Sequence, residues 1–138
     1  MQLRLLTIAS CLLLASSLSL AGPPAAISED DSHQRTLRSF KSFASGWMDK
    51  IKRVETRNQT SPQIRLHGSR NVSSYKGYGS DFKIEIKPTG YAKAPFVGVL
   101  RYTERVFDCA DERATRCQIA STIPVTEIFR FQDGRWVY

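Results

Sequence analysis

An amphipathic stripe in the first half of the chain, followed by a change of hydrophobic period, most constrains the fold. Apolar residues first recur at steps of three and four, which predicts one face of a long helix. The stripe consists of Leu37, Phe40, Ala44, Trp47, Ile51 and Val54. Apolar residues then alternate, as at Ile64 and Leu66 and again from Phe82 to Ile86, which predicts strands. One amphipathic helix followed by an antiparallel meander predicts an α+β domain, with the helix on a curved sheet of about four to five strands.

Local signals set the expected boundaries of this domain. Residues 22–31 contain two prolines and three acids, and we interpret them as an extended arm leading to a helix capped by Asp30, Asp31 or Ser32. The single domain is expected to span residues 32–138. Within it, residues 72–80 are either a glycine-punctuated loop or a bent strand. Asp133 and Gly134 form the strongest two-residue hairpin signal in the chain.

The first 21 residues have the pattern of an export signal. A short cationic start is followed by an almost uncharged apolar run to Leu20, and Ser19 and Ala21 supply the small residues of a cleavage site. A membrane anchor would need a longer apolar run, and a lipid-bearing cysteine at Cys11 would come too early in the run. We therefore predict that residues 1–21 are a signal peptide, that the mature chain begins near Gly22, and that the protein is periplasmic or secreted.

Two cysteines, Cys109 and Cys117, remain in the mature chain. In an oxidising compartment an isolated pair predicts a disulfide bond. A metal site would need further Cys or His residues nearby, and the spacing is not that of a Cys-x-x-Cys redox motif. We expect neither a metal nor another cofactor.

Positive charge is concentrated in the predicted helix. Residues 32–58 carry seven Lys or Arg residues and two acids, and the face opposite the apolar stripe includes Lys50, Lys52 and Arg53. Such a face suits anionic partners in the cell envelope or outside the cell, although it is also typical of a solvated helix surface. A helix lying on a membrane surface would show the same pattern, but the strands that follow need covering. Nucleic acid is not an expected partner, because the helical aromatics are needed for the core.

Two stretches near the C-terminus resemble a known superfold. The strand entry PFVGVL at 95–100 and the closing segment EIFRFQDGRW at 127–136, after a long helix, resemble the cystatin-like superfold and in particular nuclear-transport-factor-2-like domains. The resemblance implies a helix over a curved sheet across residues 32–138. Members of that superfold include isomerases and dehydratases with a pocket between helix and sheet, and many binding modules. The Gln-x-Val-x-Gly hairpin of protease-inhibiting cystatins is not reproduced at residues 63–68.

One carboxylate is a candidate for catalysis. If Cys109 faces Cys117 in a regular antiparallel hairpin, the pairing places Glu127 opposite Val99 and makes it a diagonal neighbour of Arg101. A carboxylate on an apolar face is a candidate general base with a raised pKa. The alternatives are a structural ion pair between Glu127 and Arg101, or a bulge or proline kink that returns Glu127 to solvent.

No other stretch carries a catalytic motif. The two histidines, His33 and His67, have no acid at local ligand spacing, and the serines lack a nucleophile-elbow context. Asn58 and Asn71 begin triplets of the N-glycosylation pattern. We expect an exported, non-enzymatic binding module for a ligand or protein partner; the alternative is a small pocket enzyme of isomerase or dehydratase type that uses Glu127.

Overall fold

The computed structural model describes residues 28–138, so the predicted signal peptide, Cys11 and residues 22–27 lie outside the described residues. Helix α1 spans Glu29–Thr60 and begins earlier than predicted. Its N-cap is Ser28, whose hydroxyl accepts a hydrogen bond of 3.2 Å from the Asp31 N–H. The acids expected to precede or cap the helix instead lie in its first turn, where they face the positive end of the helix dipole.

Six antiparallel strands follow the helix, so the α+β class is confirmed. They are β1 (Gln63–His67), β2 (Arg70–Tyr78), β3 (Lys83–Pro88), β4 (Phe96–Cys109), β5 (Cys117–Gln132) and β6 (Arg135–Val137). Their order in the curled sheet is β1-β2-β4-β5-β6. One edge of the long strand β4 pairs with β3 along its first half and with β2 along its second half. The glycine-punctuated stretch at 72–80 therefore belongs largely to a strand. Asp133 and Gly134 form the β5–β6 turn, both with positive φ.

The apolar stripe of α1 packs on the sheet as predicted. Phe40 and Ala44 have no exposed surface, while Leu37, Trp47 and Ile51 are partly buried against the same cluster. The sheet accommodates Phe40 at Gly98 on β4, where an added Cβ would lie less than 3.0 Å from three ring carbons of Phe40. This close approach fixes where the helix crosses the sheet. Across residues 28–138 no helix is long and apolar enough to cross a membrane.

The last turns of α1 cover part of a sheet edge. β2 continues past the end of its pairing with β1, which leaves backbone groups at Lys76 and Tyr78 without a strand on that side. The Asn58 amide donates to the Lys76 carbonyl at 2.9 Å, and the Tyr78 N–H donates to the Glu55 carboxylate at 3.2 Å. Helix side chains therefore complete the hydrogen bonds of this edge.

The opposite edge, on β5, is largely open among the described residues. β6 pairs with β5 only through Arg130, Phe131 and Gln132, so residues 117–129 have no strand beyond them. The Gly79 N–H donates to the Thr103 carbonyl, so the backbone polar groups of Thr103 point away from β5. In an antiparallel pair, the residue opposite Thr103 then points its backbone groups away from β4 as well. That residue is Pro124, whose backbone therefore faces the free edge. Because proline has no N–H, Pro124 interrupts the row of backbone donors that another strand would pair with.

The β4–β5 register differs from the regular hairpin predicted from the cysteines. Cys109 does face Cys117, but the pairing shifts between Phe107, opposite Ile119, and Val106, opposite Ser121. Ala120 is the extra residue of this β-bulge. Beyond the bulge Glu127 therefore pairs with Leu100 rather than Val99, and Thr126 rather than Val125 pairs with Arg101. Because side chains alternate between the two faces of a sheet, one inserted residue moves each β5 side chain beyond the bulge to the face opposite the one predicted from the cysteine pairing.

Candidate functional site

Glu127 and Arg101 do not come together. Glu127 lies on the face of Leu100 and Tyr102, and its Oε1 accepts a hydrogen bond of 2.6 Å from the Tyr102 hydroxyl. Arg101 is exposed and donates to Glu85 on β3 at 3.2 Å. The bulge is the physical reason for this separation, because it moves Glu127 to the helix-facing side of the sheet. The Glu127–Arg101 pair expected from a regular hairpin is therefore not formed.

The Tyr102–Glu127 contact is a buried polar pair. Burial, together with the hydrogen bond to the carboxylate, raises the pKa of the Tyr102 phenol, because both disfavour the phenolate. The second oxygen of Glu127 is buried and has no partner among the described residues. Glu127 is not among the lining residues of five cavities on the surface of residues 28–138, and its carboxylate contacts the Tyr102 phenol.

Cys109 and Cys117 form the predicted disulfide, which joins the ends of β4 and β5 with a Cα–Cα distance of 4.0 Å. Asp111 organises the loop between them. Its carboxylate accepts N–H hydrogen bonds from Thr115, Arg116 and Arg113 at 3.0, 2.9 and 3.1 Å. These bonds, the Thr115 N–H foremost, lower the pKa of Asp111 to about 2. The disulfide and the hydrogen bonds to the Asp111 carboxylate thus constrain the same loop.

The basic residues predicted on the helix are exposed, but they differ in their partners. Lys52 pairs with Glu55 at 2.7 Å, whereas Lys50 places its Nζ 5.9 Å from the centre of the Trp47 ring. Neither Lys50 nor Arg53 forms an ion pair with an acid within residues 28–138. Lys50 therefore differs from its neighbours, because it is a charged group held over an aromatic surface.

Lys50 belongs to a groove between α1 and β6, with a volume of about 570 Å³, which we call the helix–hairpin groove. It is lined by Ser39, Ser42, Phe43, Gly46, Trp47, Lys50, Arg135 and Trp136. The β5–β6 turn places Arg135 and Trp136 beside the helix, and the Trp136 Nε1–H donates to the Ser39 hydroxyl at 3.2 Å. An added Cβ at Gly46 would meet nothing within 4 Å, so the space beside this glycine is open.

The aromatic rings beside the groove are held by the core. The Trp47 and Tyr138 rings are nearly parallel, at 15°, with centroids 6.0 Å apart. Each also packs edge-on with the fully buried Phe129, at centroid distances of 5.0 and 5.5 Å. Tyr138 nevertheless keeps 75% of its surface exposed. Two aromatic rings that share the Phe129 contact, one of them largely solvent-facing, therefore lie beside Lys50.

Sequence reasoning placed Lys50 on the basic face and Trp47 on the apolar stripe, but it did not predict that they share a groove with residues of the closing hairpin. Arg135 and Trp136 were noted only as part of a hairpin, and Ser39 lies 97 residues before the tryptophan that it binds. A usable signal was present on the helix: Ser42, Gly46 and Lys50 recur at steps of four along the border between the stripe and the basic face. Small residues in that row leave room for a groove.

Two other large cavities have paired charges or an acidic lining. A cavity of about 610 Å³ lies beside the disulfide, and its two arginines pair with Asp108 and Asp111. His67 is exposed and lines this cavity. A cavity of about 790 Å³ at the helix start includes Glu29 and Asp30, and His33 there packs edge-on with Phe96. Over residues 28–138 no three His, Cys, Asp or Glu side chains converge as metal ligands.

Comparison of the chain with protein-family models, with curated proteins and with solved structures finds no match. The observed architecture, one helix packed on a curled antiparallel sheet, is compatible with the cystatin-like arrangement suggested by the sequence.

Proposed function

We propose that the protein is an exported, non-enzymatic binding module, periplasmic or secreted, which holds an anionic partner at the helix–hairpin groove. The single observation that carries this proposal is the composition of the groove. Lys50 on the helix and Arg135 on the hairpin have no carboxylate partner within residues 28–138, and the groove that both residues line also includes the aromatic residues Phe43, Trp47 and Trp136. A cavity of about 570 Å³ is within the size range of ligand sites.

Export is supported by two further features. The leader at residues 1–21 has the pattern of a signal peptide, and the Cys109–Cys117 disulfide is typical of proteins in oxidising compartments. The pocket-enzyme alternative has less support. A catalytic carboxylate must reach a bound substrate, whereas Glu127 accepts a hydrogen bond from Tyr102 and lines none of the described cavities.

The test is a binding series against polyanions of three kinds: a sulfated glucan, an acidic polypeptide and vesicles containing phosphatidylglycerol. The variant Lys50→Gln/Arg135→Gln removes both groove cations. The matched control, Lys83→Gln/Lys93→Gln, lowers the net charge equally at exposed sites outside the groove. We expect salt-sensitive binding of at least one polyanion, weakened about tenfold in the groove variant, since two exposed contacts contribute roughly 0.5–1 kcal/mol each.

Equal loss of affinity in the two double variants would show that only net charge matters, and would overturn the proposed site. The series extends to Lys52→Gln/Arg53→Gln, which tests the remainder of the predicted basic face. Lys52 already pairs with Glu55, so this variant is expected to bind more tightly than the groove variant.

A further inference from the structure

We propose that the anionic partner is an acidic polysaccharide whose sugar rings lie against Tyr138 and Trp47 and whose acid groups meet Lys50 and Arg135. This inference rests on the proposed function and names the class of ligand. A saccharide presents apolar C–H faces, hydroxyl groups around its rim and, when acidic, a carboxylate or sulfate. The groove residues, together with the Tyr138 ring that packs on Trp47, offer a counterpart to each of the three.

The aromatic surface packs on the buried core. Trp47 and Tyr138 both pack on the buried Phe129 ring and lie nearly parallel, so one core side chain supports both rings. Preorganised rings bind with a smaller loss of side-chain entropy than mobile ones. The large exposed surface of Tyr138 leaves this ring available to a flat ligand such as a sugar ring.

The polar groups lie around the same surface. Ser39 accepts a hydrogen bond from Trp136 Nε1, which leaves its own O–H free to donate, and Ser42 is exposed on the next part of the helix wall. Lys50 comes from the helix and Arg135 from the hairpin, so each of the two elements that form the groove contributes one cationic residue. The acid groups of an extended acidic sugar chain can pair with both cations while Lys50 and Arg135 remain exposed to solvent.

The shape of the groove argues against a membrane or a folded protein as the ligand. A bilayer presents a plane and contacts protruding side chains, whereas the floor residue Trp136 is only 8% exposed. A specific protein interface usually covers about 800 Å² on each partner, which is wider than a groove lined by eight residues. An extended chain of sugars, which contacts few residues at a time, fits a shallow groove lined by eight residues better than either.

Intrinsic fluorescence gives a direct test, because the chain contains two tryptophans, Trp47 and Trp136, and both line the groove. The probes are dextran sulfate, neutral dextran, poly-glutamate and phosphatidylglycerol vesicles. Dextran has the sugar rings without the charge, and poly-glutamate has the charge without the rings. We expect dextran sulfate to change the fluorescence and to bind at least tenfold more tightly than the other three.

The ring contact has its own variant. Tyr138→Ala is expected to weaken dextran sulfate binding about tenfold, since one aromatic contact contributes up to about 1.5 kcal/mol. Tyr91→Ala, which removes another exposed tyrosine away from the groove, should have no effect. Far-ultraviolet circular dichroism of both variants checks that the fold is retained.

The outcomes separate this inference from the proposed function. Equal or tighter binding of poly-glutamate or vesicles through Lys50 and Arg135, or normal dextran sulfate binding by Tyr138→Ala, would overturn the polysaccharide and leave the anion-binding groove intact. Equal binding of neutral dextran, or no salt-sensitive binding of any probe, would overturn both.

Discussion

The contact between Gly98 and Phe40 predicts opposite effects for two glycine-to-alanine substitutions. Replacing a glycine by alanine normally stabilises a protein by about 0.4–1 kcal/mol, because the unfolded chain loses freedom. At Gly98 the new Cβ would overlap the Phe40 ring. The ring cannot easily move, since it is fully buried and packs 4.5 Å from the Trp136 ring centre. Overpacking of this kind costs about 1–3 kcal/mol.

We therefore expect Gly98→Ala to lower the free energy of unfolding by about 1–2 kcal/mol, and the melting temperature by roughly 5–10 °C. Gly46→Ala is the control. It lies in the interior of α1 with no atom near the added Cβ, so it should stabilise the domain by about 0.5–1 kcal/mol. Urea unfolding of the two variants, with the slope compared to wild type, measures both changes.

A third variant tests whether the ring is the cause. In a Phe40→Leu background the smaller side chain leaves room, so Gly98→Ala should cost less there than in the wild type. If Gly98→Ala proved as stable as the wild type, or if its effect were the same in both backgrounds, the helix would not cross the sheet at Gly98. The account of the core would then be wrong.

Three further predictions concern the disulfide loop and the free edge of β5. Reducing Cys109–Cys117 should lower the free energy of unfolding by about 2 kcal/mol without unfolding the domain, as urea titrations with and without reductant would show; equal stability in both would contradict it. Asp111 has a folded pKa of about 2, below its ordinary 3.8, so its stabilising effect is present above pH 4 and is lost as the pH falls towards 2. Asp111→Asn should therefore be less stable than wild type at pH 7, with the gap closing over that acid range; a gap that does not change with pH would refute this. Pro124→Thr restores an edge N–H and should cause concentration-dependent self-association in sedimentation velocity; a variant that stays as dispersed as wild type would show that Pro124 does not guard the edge.

Features encoded by neighbouring residues were predictable from the sequence. The stripe at Phe40, Ala44 and Trp47 depends only on helical spacing, and the Asp133-Gly134 turn depends on two residues that tolerate positive φ. The helix start was misplaced because Ser28 and the acids that follow it can all cap a helix. Where several consecutive residues can cap a helix, tertiary packing decides at which of them the helix begins.

The candidate site was harder to predict because it depends on distant contacts. A bulge at Ala120 leaves no clear mark in the local sequence, yet it decides that Glu127 meets Tyr102 instead of Arg101. The helix–hairpin groove likewise joins Ser39 to Trp136 across most of the chain. Charge counting identified Lys50, but only the folded chain places it over the Trp47 ring in a groove that Arg135 also lines.

The salt dependence of dextran sulfate binding tests the central claim, that the helix–hairpin groove binds an anionic ligand, most directly. For polyanions the logarithm of the association constant falls with the logarithm of the salt concentration, with about one unit of slope for each cation engaged. Tryptophan fluorescence titrations at several salt concentrations give this slope. The account predicts that Lys50→Gln/Arg135→Gln reduces the slope by about two, while Lys83→Gln/Lys93→Gln leaves it unchanged. The same slope in all three proteins would contradict the account.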